Sequence, residues 1–391
     1  MFIKKYFSFF GGISIKRILI INVETQFGGA EKSIVDIFKK ISEKEEYEVL
    51  FLVENSKMKN ILNKENIKFK VISLGKLNKN IVGISKLLYG NLLVFIEILQ
   101  YKPHIVFSNT DISHMISFLS CFLTNIPFIL ILRDYRFKKI AKTLLEPFVK
   151  NIVCVSEHLK NFYKGGNKYE VIPNGIIVND IINSQYRLIY RHKYAKNNEI
   201  IYGVAARFAR WKGLDKLIKA FNLANKNINN FNAKLLIAGS AQESTEQYNY
   251  YLELKELIKK LGIEDKVSFI GWIEDPLEFF YNCDVIISSS ITKYGGPESF
   301  GRTIIEAWSV KKPVITTNCG GPSYIVEDGK TGLKVNEENL IVEMKNAILE
   351  LYKSKKKRKK IGNEGFRRVS DTYNIDKVIQ NYLKLIKYNS L

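Results

Sequence analysis

Two glutamates eight positions apart, Glu298 and Glu306, stand in the stretch GGPESFGRTIIEAWSVKKPV at 295–314. From Ser299 onward the apolar residues have helical spacing, so the sequence predicts a helix that begins at 298–301. Eight helical residues span roughly 12 Å, which is about the distance between the two sugars of a nucleotide-sugar. One carboxylate could then accept hydrogen bonds from hexose hydroxyls and the other from ribose hydroxyls. Either glutamate taken alone is better explained as a helix cap or a solvated helix residue.

A basic loop supplies the complementary charge. In GVAARFARWKGLD, at 203–215, Arg207 and Lys212 lie between a predicted strand and a helix predicted to start near Gly213. Backbone N–H groups and the positive end of a helix dipole make such a turn a good site for an anion, especially a diphosphate. Basic loop residues are often only solvated. The combination with two carboxylates and neighbouring glycines favours a site in which bases hold phosphates and acids hold hydroxyls.

The elements that must position these residues alternate along nearly the whole chain. Short continuous apolar runs followed by helical spacing predict an α/β protein whose parallel sheets are covered on both faces. The predicted strands are 17–23, 48–53, 68–74, 104–109, 128–133 and 151–156 in the first half, and 200–207, 233–239, 266–271, 285–290 and 313–317 in the second. Doubly wound sheets bind ligands at the carboxyl ends of their strands, and two such domains make the cleft between them the expected site.

A chain of 391 residues exceeds the size at which one hydrophobic core stops growing. We therefore predict two Rossmann-like doubly wound domains, at 1–180 and 181–371, joined in the irregular stretch 175–198. The remaining residues, 372–391, are predicted to form a helix that could pack back on the first domain.

The chain is basic, with 60 Lys and Arg residues against 39 Asp and Glu, a formal charge of +21. This balance favours phosphorylated ligands, an anionic membrane surface or nucleic acid as partners. A composition rich in Lys, Ile and Asn explains the excess equally well. The four cysteines have no metal-like spacing, which predicts free structural thiols in a reducing compartment.

Three apolar segments bear on localisation. The N-terminal residues 1–17 have a basic start and an apolar run but no small-residue cleavage site, so we do not expect a signal peptide. The uncharged run 115–132 is interrupted by Asn125-Ile126-Pro127, which predicts helix, turn and strand rather than a membrane span. The helical segment 81–101 could touch a membrane, although core packing is the favoured interpretation. We expect a cytoplasmic protein, with peripheral contact to the inner face of the membrane left open.

In combination these motifs resemble the family 4 glycosyltransferases, whose GT-B fold has two Rossmann-like domains facing a central cleft. The resemblance runs in the family's order over nearly the whole length and is most specific in the Glu-x7-Glu motif that follows an Arg-x4-Lys-Gly loop. The matching pieces are FGGAEKSI (27–34), VIPNGI (171–176), RFARWKG (207–213), LLIAGS (235–240), VSFIGWIED (267–275), ESFGRTIIE (298–306) and PVITTNCGGPSYIVEDGKTGL (313–333).

The resemblance implies a donor site and names its residues. Arg207 and Lys212 would clamp the donor diphosphate and stabilise the leaving nucleotide, and Glu298 would bind the transferred sugar. Glu306 would hold the ribose. The other donor-binding positions that it implies are Gly28, Gly29, Asn174, Gly271, Trp272, Ser299, Phe300 and Gly301.

Family members retain the anomeric configuration and normally need no metal or other cofactor. The sequence has no Asp-x-Asp motif, in keeping with that expectation. The family often has a His where this chain has Arg133, and Arg cannot act as a general base. This departure leaves the acceptor class open. Residues after predicted strand ends are acceptor candidates, namely Asn109, Thr110, Arg133, Tyr135 and Arg136. His114 lies on an apolar segment and is interpreted as a packing residue.

The motifs and the resemblance together predict a retaining hexosyltransferase that transfers a sugar from a nucleotide-sugar to a glycan acceptor. We expect that acceptor to be lipid-linked, as in capsule or lipopolysaccharide biosynthesis. Three alternatives stay open: a sugar-nucleotide epimerase with the same fold, a donor-binding subunit without activity, and a basic nucleic-acid-binding protein. The last is disfavoured because no RNA-binding aromatic motif or recognition-helix pattern is visible, so no nucleic-acid partner is expected.

Overall fold

The computed structural model describes residues 15–23, 28–54, 56–74, 81–135, 137, 145–178, 186–196, 198–241, 243 and 245–389. The chain divides into two compact units. The first comprises Met1–Cys154, Tyr163–Ile172 and Val378–Leu391, and the second comprises Val155–Phe162 and Pro173–Lys377. The longest segment of the second unit therefore begins at Pro173, slightly before the predicted join at 175–198, and a short earlier segment joins it.

The first unit is built on a seven-stranded parallel sheet with the strand order β3-β2-β1-β4-β5-β6-β7. Its strands are β1 (Lys16–Asn22), β2 (Tyr47–Val53), β3 (Phe69–Val71), β4 (Ile105–Ser108), β5 (Phe128–Leu132), β6 (Asn151–Cys154) and β7 (Tyr169–Val171). Strands β4 and β5 are buried at every residue, which explains why they are continuous apolar runs in the sequence. The order reverses between β1 and β4, so the loops after these two strands meet at a topological switch point.

Within the described residues, four helices connect these strands, together with a 3-10 turn at Glu146–Phe148. They are α1 (Gly29–Ser42), α2 (Ser56–Lys64), α3 (Ile81–Tyr101) and α4 (Asp111–Thr124). The predicted helix, turn and strand over 115–132 are confirmed, since α4 ends at Thr124 and β5 begins at Phe128. Asn125 ends the helix in the left-handed conformation with φ 53°.

The prediction that 81–101 is used for core packing is wrong for one side of α3. Ile84, Leu88 and Leu92 are 61%, 60% and 53% exposed, whereas Val94 and Ile98 on the opposite side are buried. The stretch Gly83–Tyr101 is long and apolar enough to cross a membrane by composition, and 33% of that window is buried. Apolar residues all round a helix indicate burial from sequence alone, and only the packed structure shows which side remains uncovered.

The second unit is built on a six-stranded parallel sheet with the order β10-β9-β8-β11-β12-β13. Its strands are β8 (Ile200–Ala205), β9 (Ala233–Ala238), β10 (Val267–Gly271), β11 (Val285–Ser288), β12 (Val314–Thr317) and β13 (Gly332–Val335). The order reverses between β8 and β11, which places a second switch point there. The two sheets thus each contain one strand more than predicted, because the short strands β7 and β13 escaped the sequence reading.

Nine helices belong wholly to the described part of the second unit. They are α5 (Glu157–Phe162), α6 (Ile189–Tyr194), α7 (Leu214–Asn227), α8 (Glu246–Leu261), α9 (Pro276–Asn282), α10 (Arg302–Ser309), α11 (Pro322–Ile325), α12 (Leu340–Lys353) and α13 (Lys355–Arg368). A 3-10 turn lies at Arg210–Lys212 and a π turn at Val369–Tyr373. The core of the unit is aromatic and aliphatic, with Tyr202 and Phe221 fully buried and their ring centroids 6.0 Å apart.

The last helix, α14 (Ile375–Asn389), belongs to the first unit from Val378 onward. There the buried Tyr382 lies 5.7 Å from the ring of Phe38 and 6.1 Å from the ring of Phe107. The C-terminal residues therefore contribute to the core of the unit that begins the chain. All four cysteines are buried and free, as the sequence predicted.

Candidate active site

Two of the predicted donor residues, Lys212 and Glu298, meet at the switch point of the second sheet. The loop after β8 carries Lys212 and the loop after β11 carries Glu298, and β8 and β11 are adjacent parallel strands. In the carboxyl-end crevice at such a point, two loops that are distant in sequence face each other. Lys212 Nζ donates a hydrogen bond to Glu298 Oε2 across 86 positions of sequence. The structure thus brings together the cation and the carboxylate that the motifs had placed in one site.

The ion pair is largely withdrawn from solvent. The side chains of Lys212 and Glu298 are 16% and 20% exposed. Ser290 Oγ lies 3.5 Å from the same carboxylate oxygen, at the outer limit of a hydrogen bond. Both members of the pair are therefore oriented before any ligand binds, which reduces the entropy that a ligand would have to offset.

Glycine is required where the basic loop enters its helix. Gly213 precedes the first residue of α7 and has φ 61°, a left-handed conformation that favours glycine. A Cβ at this position would lie 2.3 Å from the carbonyl oxygen of Ser289. The Ser289 hydroxyl in turn donates to the Lys212 carbonyl at 2.8 Å. The loop that carries Lys212 is consequently fixed against the segment that follows β11.

Trp211 joins the two predicted phosphate-binding cations. Lys212 Nζ lies 4.1 Å from the centroid of its ring and Arg207 Cζ lies 5.9 Å from it, both within the range of cation–π attraction. Arg207 itself is exposed. The sequence reasoning did not include Trp211, although an aromatic residue between the two cations of RFARWKG was a readable signal.

Glu298 lies in a loop before the helix. Helix α10 begins at Arg302, and its N-cap Gly301 has φ 93°, which breaks the helical path. The N-terminus thus falls at the last residue of the predicted range 298–301, and Glu298, Ser299 and Phe300 precede the helix. The predicted distance of roughly 12 Å between the two carboxylates assumed that all eight steps from Glu298 to Glu306 are helical. That estimate therefore no longer applies.

Two consecutive glycines hold this loop in place. Gly321 N–H donates to the Glu298 carbonyl at 2.7 Å. A Cβ on Gly320 would lie 2.2 Å from the same oxygen, and a Cβ on Gly321 would lie 2.6 Å from the Phe300 nitrogen. The Ser156 hydroxyl donates to the Ser299 carbonyl at 2.6 Å. The backbone around Glu298 is thus fixed from two sides by residues that the sequence reasoning had not assigned.

Glu306 is placed differently from Glu298. It is 8% exposed, and its Oε1 accepts a hydrogen bond of 2.8 Å from Arg302 Nε one helical turn earlier. Its partner in the structure is thus a cation of its own helix. The hydrogen bond from Arg302 orients the carboxylate as an acceptor, and its predicted role at a ribose stays a prediction.

The remaining implied donor positions of the second unit have distinct surroundings. Phe300 is buried and packs edge-on against Tyr373 at 5.8 Å, so its side chain is structural. Gly271 ends β10 with φ 80°, and the following Trp272 is 62% exposed. Asn174 is 6% exposed in the loop after β7. The exposed indole after β10 offers a stacking surface, which the buried Phe300 does not.

A polar cavity of about 470 Å³ adjoins the Glu298 segment through Gly320. Burial lowers the pKa of His158 below its ordinary 6.5, which keeps the ring neutral at pH 7. Burial likewise raises the pKa of the Cys319 thiol to about 12. The lining is neutral apart from two carboxylates, which suits hydroxyl groups better than phosphates. The lining residues are His158, Thr292, Asn318, Cys319, Gly320, Ser323, Asn336, Glu337 and Glu338.

The acceptor candidates of the first unit meet at its own switch point. Arg133 Nε donates to Asn109 Oδ1 at 2.7 Å, and Asn109 Nδ2 donates to Asn22 Oδ1 at 2.6 Å. These residues follow or end β5, β4 and β1, three neighbouring strands. Asn22, at the end of β1, was not predicted. The chain of hydrogen bonds orients Arg133 as a fixed donor.

Other candidates of this unit have local structural roles or lie outside the description. Thr110 caps α4 by accepting from the Ser113 N–H, and its own hydroxyl bonds the Val23 carbonyl at 2.8 Å. Tyr135 is half-buried, and Arg136 lies outside the described residues.

The glycines of the first loop and the buried histidine complete the first unit's predicted residues. Gly28 precedes α1 and its N–H donates to Glu31 at 2.8 Å, while Gly29 is the first residue of that helix. His114 is buried with its Nδ1 2.6 Å from Ser108 Oγ, which confirms the prediction of a packing residue.

Comparison with known proteins finds glycosyltransferases among the relatives of this chain. Residues 187–368 match the family model described as Glycosyl transferases group 1, a range that contains the Lys212–Glu298 pair. The chain is 28% identical over 294 residues to the capsular polysaccharide biosynthesis glycosyltransferase CapM of Staphylococcus aureus, covering 70% of this chain and 73% of CapM. It is 27% identical over 174 residues to the O-antigen biosynthesis glycosyltransferase WclY of Escherichia coli, covering 44% of each.

The fold is shared with solved structures over nearly the full length. Anabaena HepE, in complex with UDP and glucose, superposes with a TM-score of 0.82 at 22% identity, covering 95% of this chain and 100% of HepE. At this identity the likeness shows the fold, which is GT-B, with two parallel-sheet α/β domains. The chain is thus related to glycosyltransferases of surface-polysaccharide biosynthesis.

Proposed function

We propose that this chain is a retaining glycosyltransferase of family 4 that moves a hexose from a nucleoside-diphosphate donor to a lipid-linked glycan. The product would serve cell-surface polysaccharide such as capsule or lipopolysaccharide, and the enzyme would work in the cytoplasm at the inner face of the membrane. The observation that carries the proposal is the Lys212–Glu298 pair at the switch point between β8 and β11, inside the range that matches glycosyltransferases.

The charges of the site fit a diphosphate beside a sugar. Lys212 and Arg207 are the cations on the Trp211 ring, and both would neutralise the diphosphate. Glu298, already bonded to Lys212, would accept hydrogen bonds from the sugar hydroxyls with its remaining lone pairs. The first N–H groups of α10 have no partners within the helix and would add dipolar stabilisation.

The nucleoside would be held by the other predicted residues. Glu306, oriented by Arg302, would accept from the ribose hydroxyls, and the exposed Trp272 after Gly271 would offer its face to the base. UDP and glucose are bound by HepE, and UDP-glucose by the same protein in another structure. UDP-glucose is therefore the first donor to test here.

The reaction would need no side chain that acts as a general base. The bond between the anomeric carbon and the diphosphate oxygen breaks, and the acceptor oxygen bonds to the same face of the sugar. The acceptor proton passes to the departing phosphate oxygen. Lys212 and Arg207 would stabilise the charge that develops there, which is the role that fixed cations serve best in catalysis. An arginine at 133, where the family often has a histidine, is compatible with this route. No metal or other cofactor is part of the proposal.

A panel of nucleoside diphosphates and their sugars, screened by thermal shift, would find the nucleotide. Release of the free nucleoside diphosphate is then measured with and without a lipid-linked acceptor. Release that requires the acceptor, loss of release in Glu298→Gln, and unchanged rates with a chelator are the expected results. An epimerised nucleotide-sugar, or donor binding without any turnover across the acceptor panel, would overturn the proposal. Salt-sensitive binding of nucleic acid in place of the donor would do the same.

A further inference from the structure

Helix α3 presents an apolar stripe to solvent. Its members recur every three or four positions, the spacing of one helical face. They are exposed by between 41% and 61%. These stripe residues are Ile84, Leu88, Leu92, Ile96 and Leu99, with Tyr89 beside them at 52%. The opposite face holds α3 in the protein, since Gly90 fits against Ile116 of α4, with a Cβ at this glycine 2.7 Å from the isoleucine side chain.

The neighbouring helix α4 also exposes apolar side chains. Phe122 and Leu123 near the end of α4 are 58% and 63% exposed, and the ring of Phe122 lies 5.1 Å from that of Phe148, itself 43% exposed. Helices α3 and α4 are bonded to each other, since the Ser120 hydroxyl donates to the Asn91 carbonyl at 2.6 Å. The exposed apolar residues therefore lie on two helices that pack against each other, and we call them together the α3–α4 face.

This face contains no exposed acidic residue within α3, and within α4 only the first residue, Asp111, is acidic. The one acid of α3, Glu97, is 7% exposed and binds Lys70 at 2.7 Å. His114 is buried, and burial lowers its pKa to about 3, so it stays neutral. Lys86 is the remaining charged residue of α3. An anionic surface that approaches the stripe would meet apolar groups and a lysine rather than carboxylates.

We propose that the α3–α4 face binds an anionic lipid membrane. A 21-residue helix is about 32 Å long. Because its other face is packed on the protein, it would lie along the lipid surface with the stripe among the acyl chains. Six large apolar side chains on one helix form the kind of patch that marks an interaction site rather than ordinary surface.

The positive charge of the chain favours an anionic membrane over a second copy of the chain as the partner of this face. Each copy has a formal charge of +21, so two copies repel each other over the range of their fields, whereas anionic headgroups attract every copy. Burial of apolar side chains then adds a contribution that salt does not screen. The inference goes beyond the proposed reaction, because it concerns the first unit alone and holds whatever sugar the second unit transfers.

The test is co-sedimentation of the full chain with vesicles of phosphatidylcholine, alone or mixed with phosphatidylglycerol. Wild-type protein should bind the anionic vesicles, and the triple variant Leu88→Gln, Leu92→Gln, Ile96→Gln should bind them roughly tenfold or more weakly, since three apolar side chains are lost. A matched control changes three apolar residues that are comparably exposed on helices of the second unit. Leu223, Leu252 and Val342 are 40%, 45% and 52% exposed, and their glutamine variants should bind as the wild type does.

Circular dichroism and thermal unfolding establish that both triple variants are folded. Raised salt should weaken wild-type binding without abolishing it. The inference is overturned if wild-type protein stays in the supernatant, if the α3 variant sediments like the wild type, or if the control loses as much. A concentration-dependent dimer that the α3 variant abolishes, without lipid binding, would assign the face to self-association. Transfer to a water-soluble acceptor is measured in parallel, so failure of lipid binding is distinguishable from failure of the proposed reaction.

Discussion

Replacing Lys212 by methionine removes one charge from the centre of the proposed site while keeping much of the side-chain volume. Lys212 bonds Glu298 and lies on Trp211, so the variant should affect both reaction and folding. Loss of one fixed electrostatic donor at a developing negative charge costs about 10²–10³-fold in turnover. We expect the acceptor-dependent release of nucleoside diphosphate to fall by that factor at saturating donor.

The effect on stability should be smaller and separable. Breaking a fully buried ion pair costs about 3–5 kcal/mol, whereas an exposed pair contributes about 0–1 kcal/mol. The side chains of Lys212 and Glu298 are 16% and 20% exposed, which places the loss between these limits, at about 1–2 kcal/mol. Assays well below the melting temperature therefore report catalysis, and a thermal melt reports the loss of stability.

The same 3-10 turn provides a matched control. Arg210 forms an ion pair with Glu253 in which the side chains are 39% and 52% exposed. Arg210→Gln removes the same charge two residues away, and turnover should stay within about twofold of the wild type because the pair is solvent-screened. Wild-type turnover in Lys212→Met would refute the site assignment. An equal loss of turnover in Arg210→Gln would also refute it, because the general electric field of the basic loop would then explain both effects.

Two further substitutions test the backbone conformation at Gly213 and the burial of His114. Gly213→Ala should destabilise the second unit by more than about 2 kcal/mol, since it adds a backbone collision to a strained φ of 61°. Gly262→Ala is its control, with φ 64° and open space around the new Cβ, and should cost about 1 kcal/mol in a denaturant melt, from the left-handed conformation alone; equal losses would contradict the collision. Burial lowers the pKa of His114 to about 3, so its ring stays neutral in the folded protein. Below pH 6.5 only the unfolded chain binds a proton at this histidine. The free energy of unfolding should therefore fall by about 1.4 kcal/mol for each pH unit by which the pH is lowered. His114→Gln should lack this component in unfolding measured from pH 7 to pH 5, and identical pH profiles would contradict it.

Alternation of strands and helices was readable from sequence because most of the longer strands, such as β2, β5 and β9, are buried on both faces. Strands β7 and β13 could not be predicted from sequence, since three or four residues are too few for a periodic pattern to appear. The start of α10 lies at the end of its predicted range 298–301 for a different reason. Ser299 and Phe300 fit the helical spacing, but Gly301 adopts φ 93°, and periodicity carries no information about a single dihedral angle.

The candidate site also combines features that could be predicted from sequence with features that could not. Residue types and order predicted that Lys212 and Glu298 act together, while their hydrogen bond depends on β8 and β11 being neighbours, a property of the sheet. The fixing of Glu298 by Gly320 and Gly321 could not be predicted, because close approach of two backbones leaves no periodic pattern in a sequence. Exposure of the α3 stripe was likewise invisible, since it depends on which face α4 covers.

Both sheets reverse their order once, and the chemistry at the two reversals differs. In the second unit the loops after β8 and β11 bring a lysine to a carboxylate, a pairing that can bind phosphate and hydroxyl groups together. In the first unit the ends of β1, β4 and β5 bring Asn22, Asn109 and Arg133 into one chain of hydrogen bonds. There the chain of hydrogen bonds ends on a guanidinium whose Nε donates to a neutral amide, and guanidinium N–H groups can only donate. A ligand that binds this guanidinium should therefore present an acceptor oxygen, as a hydroxyl or a phosphate does, rather than an amine, which is the chemistry of the proposed sugar acceptor on a lipid phosphate.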